Sequence, residues 1–185
     1  MKHIRNLYEQ LGVDKYYQDY GNEYKNPHIE QIRELIINNS QKLDYTSVLD
    51  FCTGGGEVSL ILRSLNYDNY KASDPYTHHL YKKNLNKECY KWSFNDIIKG
   101  KMAGKYSCII CSFAMHLCPK EKLYDLVIQL FQHSQNLVIL TPHKRPVLEL
   151  FSGVELVYTD FSKTEKGKKV FLKHYKFSYL TNQEH

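Results

Sequence analysis

The segment Val48-Leu49-Asp50-Phe51-Cys52-Thr53-Gly54-Gly55-Gly56-Glu57 constrains the fold of this chain more than any other. A short apolar run ends in an acid and three glycines follow. A helical pattern then runs from Glu57 to Leu65, with Val58, Leu60, Ile61 and Leu62 apolar. Glycines between a strand and a helix let the backbone approach a ligand closely and supply positive φ where a turn needs it. The helix N-terminus beyond them favours negative charge, a phosphate or a carboxylate. Eighteen residues past Gly56, just after the short strand Tyr70 to Ser73, comes Asp74. An acid there is placed to accept hydrogen bonds from ribose hydroxyls.

Residue identities separate the loops that fit this outline. A nucleoside triphosphate loop needs Gly-Lys-Ser/Thr, and Glu57 follows Gly56 instead. A dehydrogenase loop needs G-x-G-x-x-G, a spacing the triplet does not supply. A loop for S-adenosylmethionine puts an acid, here Asp50, at the end of the first strand, where a cofactor ammonium can meet it. A plain glycine-rich turn leaves the spacing of Asp50 and Asp74 unexplained.

The rest of the chain alternates in the same sense. Ile29, Ile32, Leu35 and Ile36 predict a helix over Ile29 to Asn39, with Pro27 ahead of it and Asn38-Asn39-Ser40 closing it. Strands are expected at Ser47 to Phe51, Tyr70 to Ser73, Tyr90 to Phe94, Tyr106 to Phe113 and Asn136 to Leu140. Helices are expected at Glu57 to Leu65, Thr77 to Asn86 and Pro119 to His133, the last burying Leu123, Leu126, Val127, Leu130 and Phe131. Val154 to Phe161 and Val170 to Leu180 have only the lysine-rich turn Ser162 to Lys169 between them, which reads as an antiparallel hairpin. A βαβ series implies a mostly parallel sheet covered on both faces. Ligands of such sheets bind beyond the carboxyl ends of the strands.

Val48-Leu49-Asp50-x-x-x-Gly54-x-Gly56 resembles the first motif of class I S-adenosylmethionine-dependent methyltransferases, and the terminal hairpin matches the antiparallel closure of their sheet. The resemblance covers about residues 45–180 and identifies no subfamily. It implies an α/β, three-layer Rossmann-like sheet, mostly parallel, of seven strands with an antiparallel C-terminal hairpin. It implies one domain over 1–185, with a lid and helix in 1–40 and the catalytic core in 45–185. S-adenosyl-L-methionine would lie on Asp50 and the loop Cys52, Thr53, Gly54, Gly55 and Gly56. Asp74 would hold the ribose, Asp96 the adenine amino group with Ile97 beside the ring, and Ser112 and Phe113 would meet the methyl group. Tyr24, Asn26 and Pro27 fall in the segment that lids the cofactor. Cys52 departs from the pattern, standing where the family has its first glycine. A small side chain fits there with the backbone expected at negative φ.

Methyl transfer needs in-line alignment at about 3–3.5 Å, and a base when the acceptor must lose a proton. His116, after the fourth strand, and His143, after the fifth, are the candidates, since histidine titrates near neutrality. Thr141-Pro142-His143-Lys144-Arg145-Pro146 brackets three polar residues with prolines, which would present Arg145 to a carboxylate or phosphate. The acceptor is then a small anionic molecule or RNA. A non-catalytic cofactor-binding or partner-binding module of the same fold is the alternative.

Composition narrows this further. The chain has 185 residues, 42% hydrophobic and 24% charged, which excludes a disordered chain. A net charge of +5 permits an anionic partner without demanding one. Lys163, Lys166, Lys168, Lys169, Lys173 and Lys176 concentrate charge on the hairpin, where edge protection and nucleic-acid binding both explain lysines. Met1 to Asn22 is charged throughout with no apolar leader, and the apolar stretch Cys108 to Cys118 is far short of the ~18–20 residues of a membrane span. The expectation is a cytoplasmic protein without a membrane partner. Five cysteines suggest reduced thiols. Cys108 and Cys111 form C-x-x-C inside a strand, which sends them to opposite faces, so no metal is expected there.

Overall fold

The computed structural model describes residues 26–178. Its elements run α1 (Ile29–Asn38), β1 (Val48–Phe51), α2 (Glu57–Ser64), β2 (Tyr70–Ser73), α3 (His78–Leu85), α4 (Phe94–Ile98), β3 (Cys108–Ser112), α5 (Lys120–His133), β4 (Asn136–Thr141), β5 (Val154–Lys163) and β6 (Lys169–Phe177). The six strands form one sheet in the order β2-β1-β3-β4-β6-β5. The first four are parallel, β6 runs antiparallel to β4, and β5 pairs antiparallel with β6.

Strand alternation sorts the core into two layers. Leu49, Phe51, Ile109, Cys111, Leu137, Ile139 and Tyr175 face one way and meet the α5 stripe of Leu123, Leu126, Val127, Leu130 and Phe131. Val48, Ala72, Cys108, Ile110, Val138, Leu140 and Leu172 face the other way. There they meet Ile32, Leu35 and Ile36 of α1, Val58, Ile61 and Leu62 of α2, and Tyr81 and Leu85 of α3. Both faces of the parallel strands are therefore covered, which is why β1 is buried at all four positions. Cys108 and Cys111 lie in opposite layers, as their spacing requires.

Six strands stand where seven were expected. The segment read as a strand at Tyr90 to Phe94 keeps one residue of it, a parallel bridge from Tyr90 to Ser73 on the outer edge of β2. Three residues later Ser93 caps α4: its hydroxyl accepts from the Asp96 amide, and the Asp96 carboxylate accepts from the Ser93 amide. This reciprocal capping starts a helix at Phe94 and ends the strand. The second hairpin strand is described as far as Phe177, and Leu180 lies outside the described residues. No helix among the described residues is long and apolar enough to cross a membrane.

Gly56 sets how closely the glycine loop packs on α3. It has φ +93, and a Cβ there would lie 2.3 Å from Leu85 Cδ1 and 3.0 Å from Tyr81 Cδ2. Gly55 is different, since its nearest neighbour would be the Glu57 carboxylate at 3.3 Å, the free end of a side chain. Gly56→Ala should cost about 2–4 kcal/mol, from left-handed strain and overpacking together. Thermal unfolding should show a drop of roughly 5–15 °C for that variant. Gly55→Ala should stay within about 1 kcal/mol of wild type. Equal losses in the two would refute this account of the loop.

Candidate active site

Asp50 is the last inward residue of β1 on the α2 side, and it is buried. One carboxylate oxygen, Oδ2, accepts three hydrogen bonds: from Thr53 Oγ1 at 2.7 Å, Ser59 N at 3.0 Å and Ser59 Oγ at 2.7 Å. Tyr81 donates in turn to Ser59 Oγ at 3.2 Å. The other oxygen, Oδ1, is buried with no partner among the described residues. Burial raises the carboxyl pKa to about 7, against the hydrogen bonds from Ser59 and Thr53, and the charge of Glu57 raises it further.

The loop is anchored from two further sides. Gly54 donates its amide to Asp74 Oδ2 at 3.2 Å, and Asp74 Oδ1 accepts from the amides of Tyr76 at 2.9 Å and Thr77 at 2.8 Å. Asp74, 8% exposed, therefore ties the loop to the start of α3 and keeps a small accessible edge. Asn84 donates to the Gly55 carbonyl at 2.9 Å. Ser59 and Asn84 escaped the sequence reading. Ser59 carried a signal, a hydroxyl set in the buried stripe Val58, Ile61, Leu62, nine residues past Asp50.

Cys52 overturns one expectation. Its φ is +58, the left-handed region, not a negative value. The backbone turn demands the conformation that the missing glycine would take freely, and the cysteine adopts it at a cost on the order of 1–2 kcal/mol. Its nearest titrating neighbour is the thiol of Cys111, which lies beside Phe51 on β3. The Cys111 thiol, with burial, holds the Cys52 thiol well above its ordinary range. Phe113, one residue past β3, is also left-handed at φ +58. Among the described residues the other non-glycines with positive φ are Asn66 and Asn86, a residue type that visits this region routinely. The two costly ones thus stand at the carboxyl ends of adjacent parallel strands, where backbone strain gathers at working sites.

The chain ahead of α1 lies over the same rim. The ring of His28 stacks on Phe113 with centroids 5.2 Å apart. His28 N donates to Asn26 Oδ1 at 2.9 Å, and the Asn26 amide reaches Glu57 Oε1 at 3.4 Å. Asn26 and Pro27 of the expected lid are therefore at the loop, while Tyr24 lies outside the described residues.

Ser112 ends β3 on this edge and is half-buried. His116 and His143, far apart in sequence, come together with ring centroids 4.7 Å apart, edge to face. Packing around the His116 ring, with the charge of His143 second, pushes its pKa down. His143 N donates to Thr141 Oγ1 at 3.1 Å, and Lys144 and Arg145 are exposed.

Asp96, expected at the adenine amino group, caps the start of α4. Its carboxylate accepts from Ser93 and pairs with Lys101 at 2.6 Å; that ammonium, then the Ser93 bonds, hold it well below the carboxylate range. Ile97 is fully buried in the α5-side core. Tyr90 and Trp92, which the sequence reading passed over, stack nearby in sequence with centroids 4.0 Å apart.

No family model matches the chain. A protein of Schizosaccharomyces pombe described as uncharacterized is 28% identical, over 79% of this chain and 77% of its own. Among solved structures, magnesium protoporphyrin IX methyltransferase from Synechocystis, crystallised with S-adenosylmethionine, superposes with a TM-score of 0.61. It is 14% identical, covering 94% of this chain and 95% of that one. A putative RNA methyltransferase from Pyrococcus horikoshii also gives 0.61, at 13% identity over 84% of this chain and 88% of that one. The fold is that of the class I S-adenosylmethionine-dependent methyltransferases, reached at identities that show the fold alone.

Asp50 makes stability pH-dependent in an unusual direction. The folded state retains a proton up to about pH 7 that the unfolded chain loses near 4, so unfolding releases a proton in between. This contribution is full at low pH and is lost as pH rises through neutrality. The melting temperature should fall between about pH 4 and pH 7, and Asp50→Asn should flatten that decline. An unchanged slope in Asp50→Asn, read by thermal unfolding across the range, would assign the effect to other groups.

Proposed function

We propose that this protein is an S-adenosylmethionine-dependent methyltransferase acting on a small anionic molecule or RNA. The single observation that carries the reading is the anchored glycine loop, with the buried, unpartnered Oδ1 of Asp50 beneath it. A buried carboxylate oxygen without a donor is costly, and a ligand ammonium would satisfy it. The residues therefore fit the cofactor. Asp50, Cys52, Thr53, Gly54, Gly55 and Gly56 would hold its amino-acid end, and the accessible edge of Asp74 its ribose. When bound, the cofactor supplies a methyl group activated on a sulfonium sulfur. The neighbour from Synechocystis, solved with that cofactor, supports the assignment.

The chain's own residues then divide the work. Asn26 and His28 close over the loop and exclude water. Ser112 and Phe113 line the end of β3 where a methyl group would be presented. His116, with its depressed pKa, is neutral at physiological pH and can accept a proton from the acceptor. His143 orients that ring. Arg145 is exposed and free to meet an anionic group of the acceptor bidentately. A cytoplasmic setting belongs to the same proposal, supported by the buried thiols of Cys108, Cys111 and Cys118.

The alternative, a non-catalytic cofactor-binding or partner-binding module, draws on Asp96. Its carboxylate, expected at the adenine, is engaged by Ser93 and Lys101.

Calorimetry with S-adenosylhomocysteine should show binding, weakened roughly 10–100-fold by Asp74→Ala. No binding by wild type would overturn the proposal. Incubation with methyl-labelled cofactor and fractionated extract should place label in RNA or in small molecules. Binding without any transfer selects the non-catalytic module. With an acceptor in hand, Arg145→Ala should raise its KM about tenfold and leave cofactor affinity unchanged. Parallel losses of both would mean that the loop is only structural.

A further inference from the structure

The hairpin that closes the sheet carries a pattern the cofactor site does not use. Its register sets Thr159 opposite Lys173, Phe161 opposite Phe171, and Lys163 opposite Lys169. Residues two apart along a strand share a face, so these pairs form one ladder, on the side of Tyr175 and the α5 layer. The opposite face is already occupied: Ser162 donates to Glu34 and Asn39 donates to Asp160, tying it to α1. The ladder reaches the candidate site directly. Thr141 pairs with Phe171 at the carboxyl end of β4, His143 follows two residues on, and Lys173 Nζ donates to the Lys144 carbonyl at 2.8 Å.

As pure structure, the last rung of this ladder works against stability. Phe161 is 44% exposed. Like charges directly opposite one another in an antiparallel pair destabilise it, and Lys163 and Lys169 are so placed. From Phe161 to Phe171 four lysines meet a single acid, Glu165. Lysines alone would suit edge protection, but an exposed Phe161 on the same face would undo it. The rings of Phe161 and Phe171 lie 6.4 Å apart, with Lys169 Nζ 3.9 Å and Lys163 Nζ 5.9 Å from the Phe161 centroid. Aromatic faces flanked by ammonium groups match a single strand of nucleic acid, whose bases stack while its phosphates take the cations.

We infer that this ladder binds a single-stranded polynucleotide and leads it across Lys173 and Lys144 to the rim at His116 and His143. The inference rests on the methyltransferase reading for its purpose and narrows the acceptor to a nucleotide within a strand. The two bases nearest the tip stack on Phe161 and Phe171. Lys163 and Lys169 neutralise the adjoining phosphates, which relieves their mutual repulsion. A flipped or unpaired nucleotide then reaches the histidines without melting a duplex.

Fluorescence anisotropy with labelled oligouridylate, oligothymidylate and a duplex of equal length tests this on the full chain. Wild type should bind the single strands more tightly than the duplex, and more weakly as salt rises. The two single strands tell RNA from DNA as the source. Phe161→Ala with Phe171→Ala should weaken single-strand binding about tenfold or more with the salt slope kept. Lys163→Ala with Lys169→Ala should lower that slope by about 1–2. Both variants should bind S-adenosylhomocysteine as wild type does, which shows that they are folded. Unaltered affinity in both variants, preference for the duplex, or binding to phosphatidylserine vesicles with none to the oligonucleotides would overturn the inference. Failure of wild type to bind S-adenosylhomocysteine while it binds the single strand would instead sink the methyltransferase reading and leave this surface standing.

Discussion

The grip of one carboxylate oxygen holds the working end of this molecule together. Asp50 Oδ2 collects Thr53 from the loop and both the amide and the hydroxyl of Ser59 from α2, so β1, the turn and the helix meet at one atom. Because the group is buried, each bond acts in a medium where leaving it unmade is costly. That concentration on Oδ2 leaves Oδ1 bare, so the interaction that orders the loop also creates its unmet demand. Asp74 repeats the arrangement from the next strand, with amides in place of hydroxyls. The first two carboxylates of the sequence motif are thus structural members of the loop.

Elements whose pattern matches a single burial environment were legible in the sequence. The α5 stripe and the β1 run sit in continuous apolar layers, and their residues read directly as buried. The glycine loop and Asp74 were legible because a strand-turn-helix leaves few places for an acid. The third strand was misread because Tyr90 to Phe94 has strand composition while Ser93 and Asp96 form a helix start; capping hydrogen bonds won over propensity. The same bonds drew Asp96 toward Lys101. Cys52 was misjudged because its side chain suggested ordinary φ, whereas the turn imposed the backbone.

Pairings across the sheet were the least legible. The closeness of His116 to His143 follows from β3 and β4 being neighbours, and no local signal in either segment announces it. The stacking of His28 on Phe113 similarly joins the chain before α1 to the end of β3. Lysine content alone left the hairpin open to two explanations. Register adds what lysine content does not carry, that aromatic and basic residues of both strands share one face.

The ties between α1 and the hairpin have a consequence for how the molecule is made. Asn39 bonds to Asp160 and Glu34 to Ser162, partners more than a hundred positions apart along the chain. A ribosome releases α1 long before β5 exists, so the apolar stripe of Ile32, Leu35 and Ile36 must wait for most of its cover. Such distant closure makes folding a late, collective event, because the entropy of joining the ends is spent before those contacts form. The segment carrying Asn26 and His28 leads into α1. That segment meets Glu57 and Phe113, so the cover of the candidate site is tied to the late-closing hairpin through the helix it leads into.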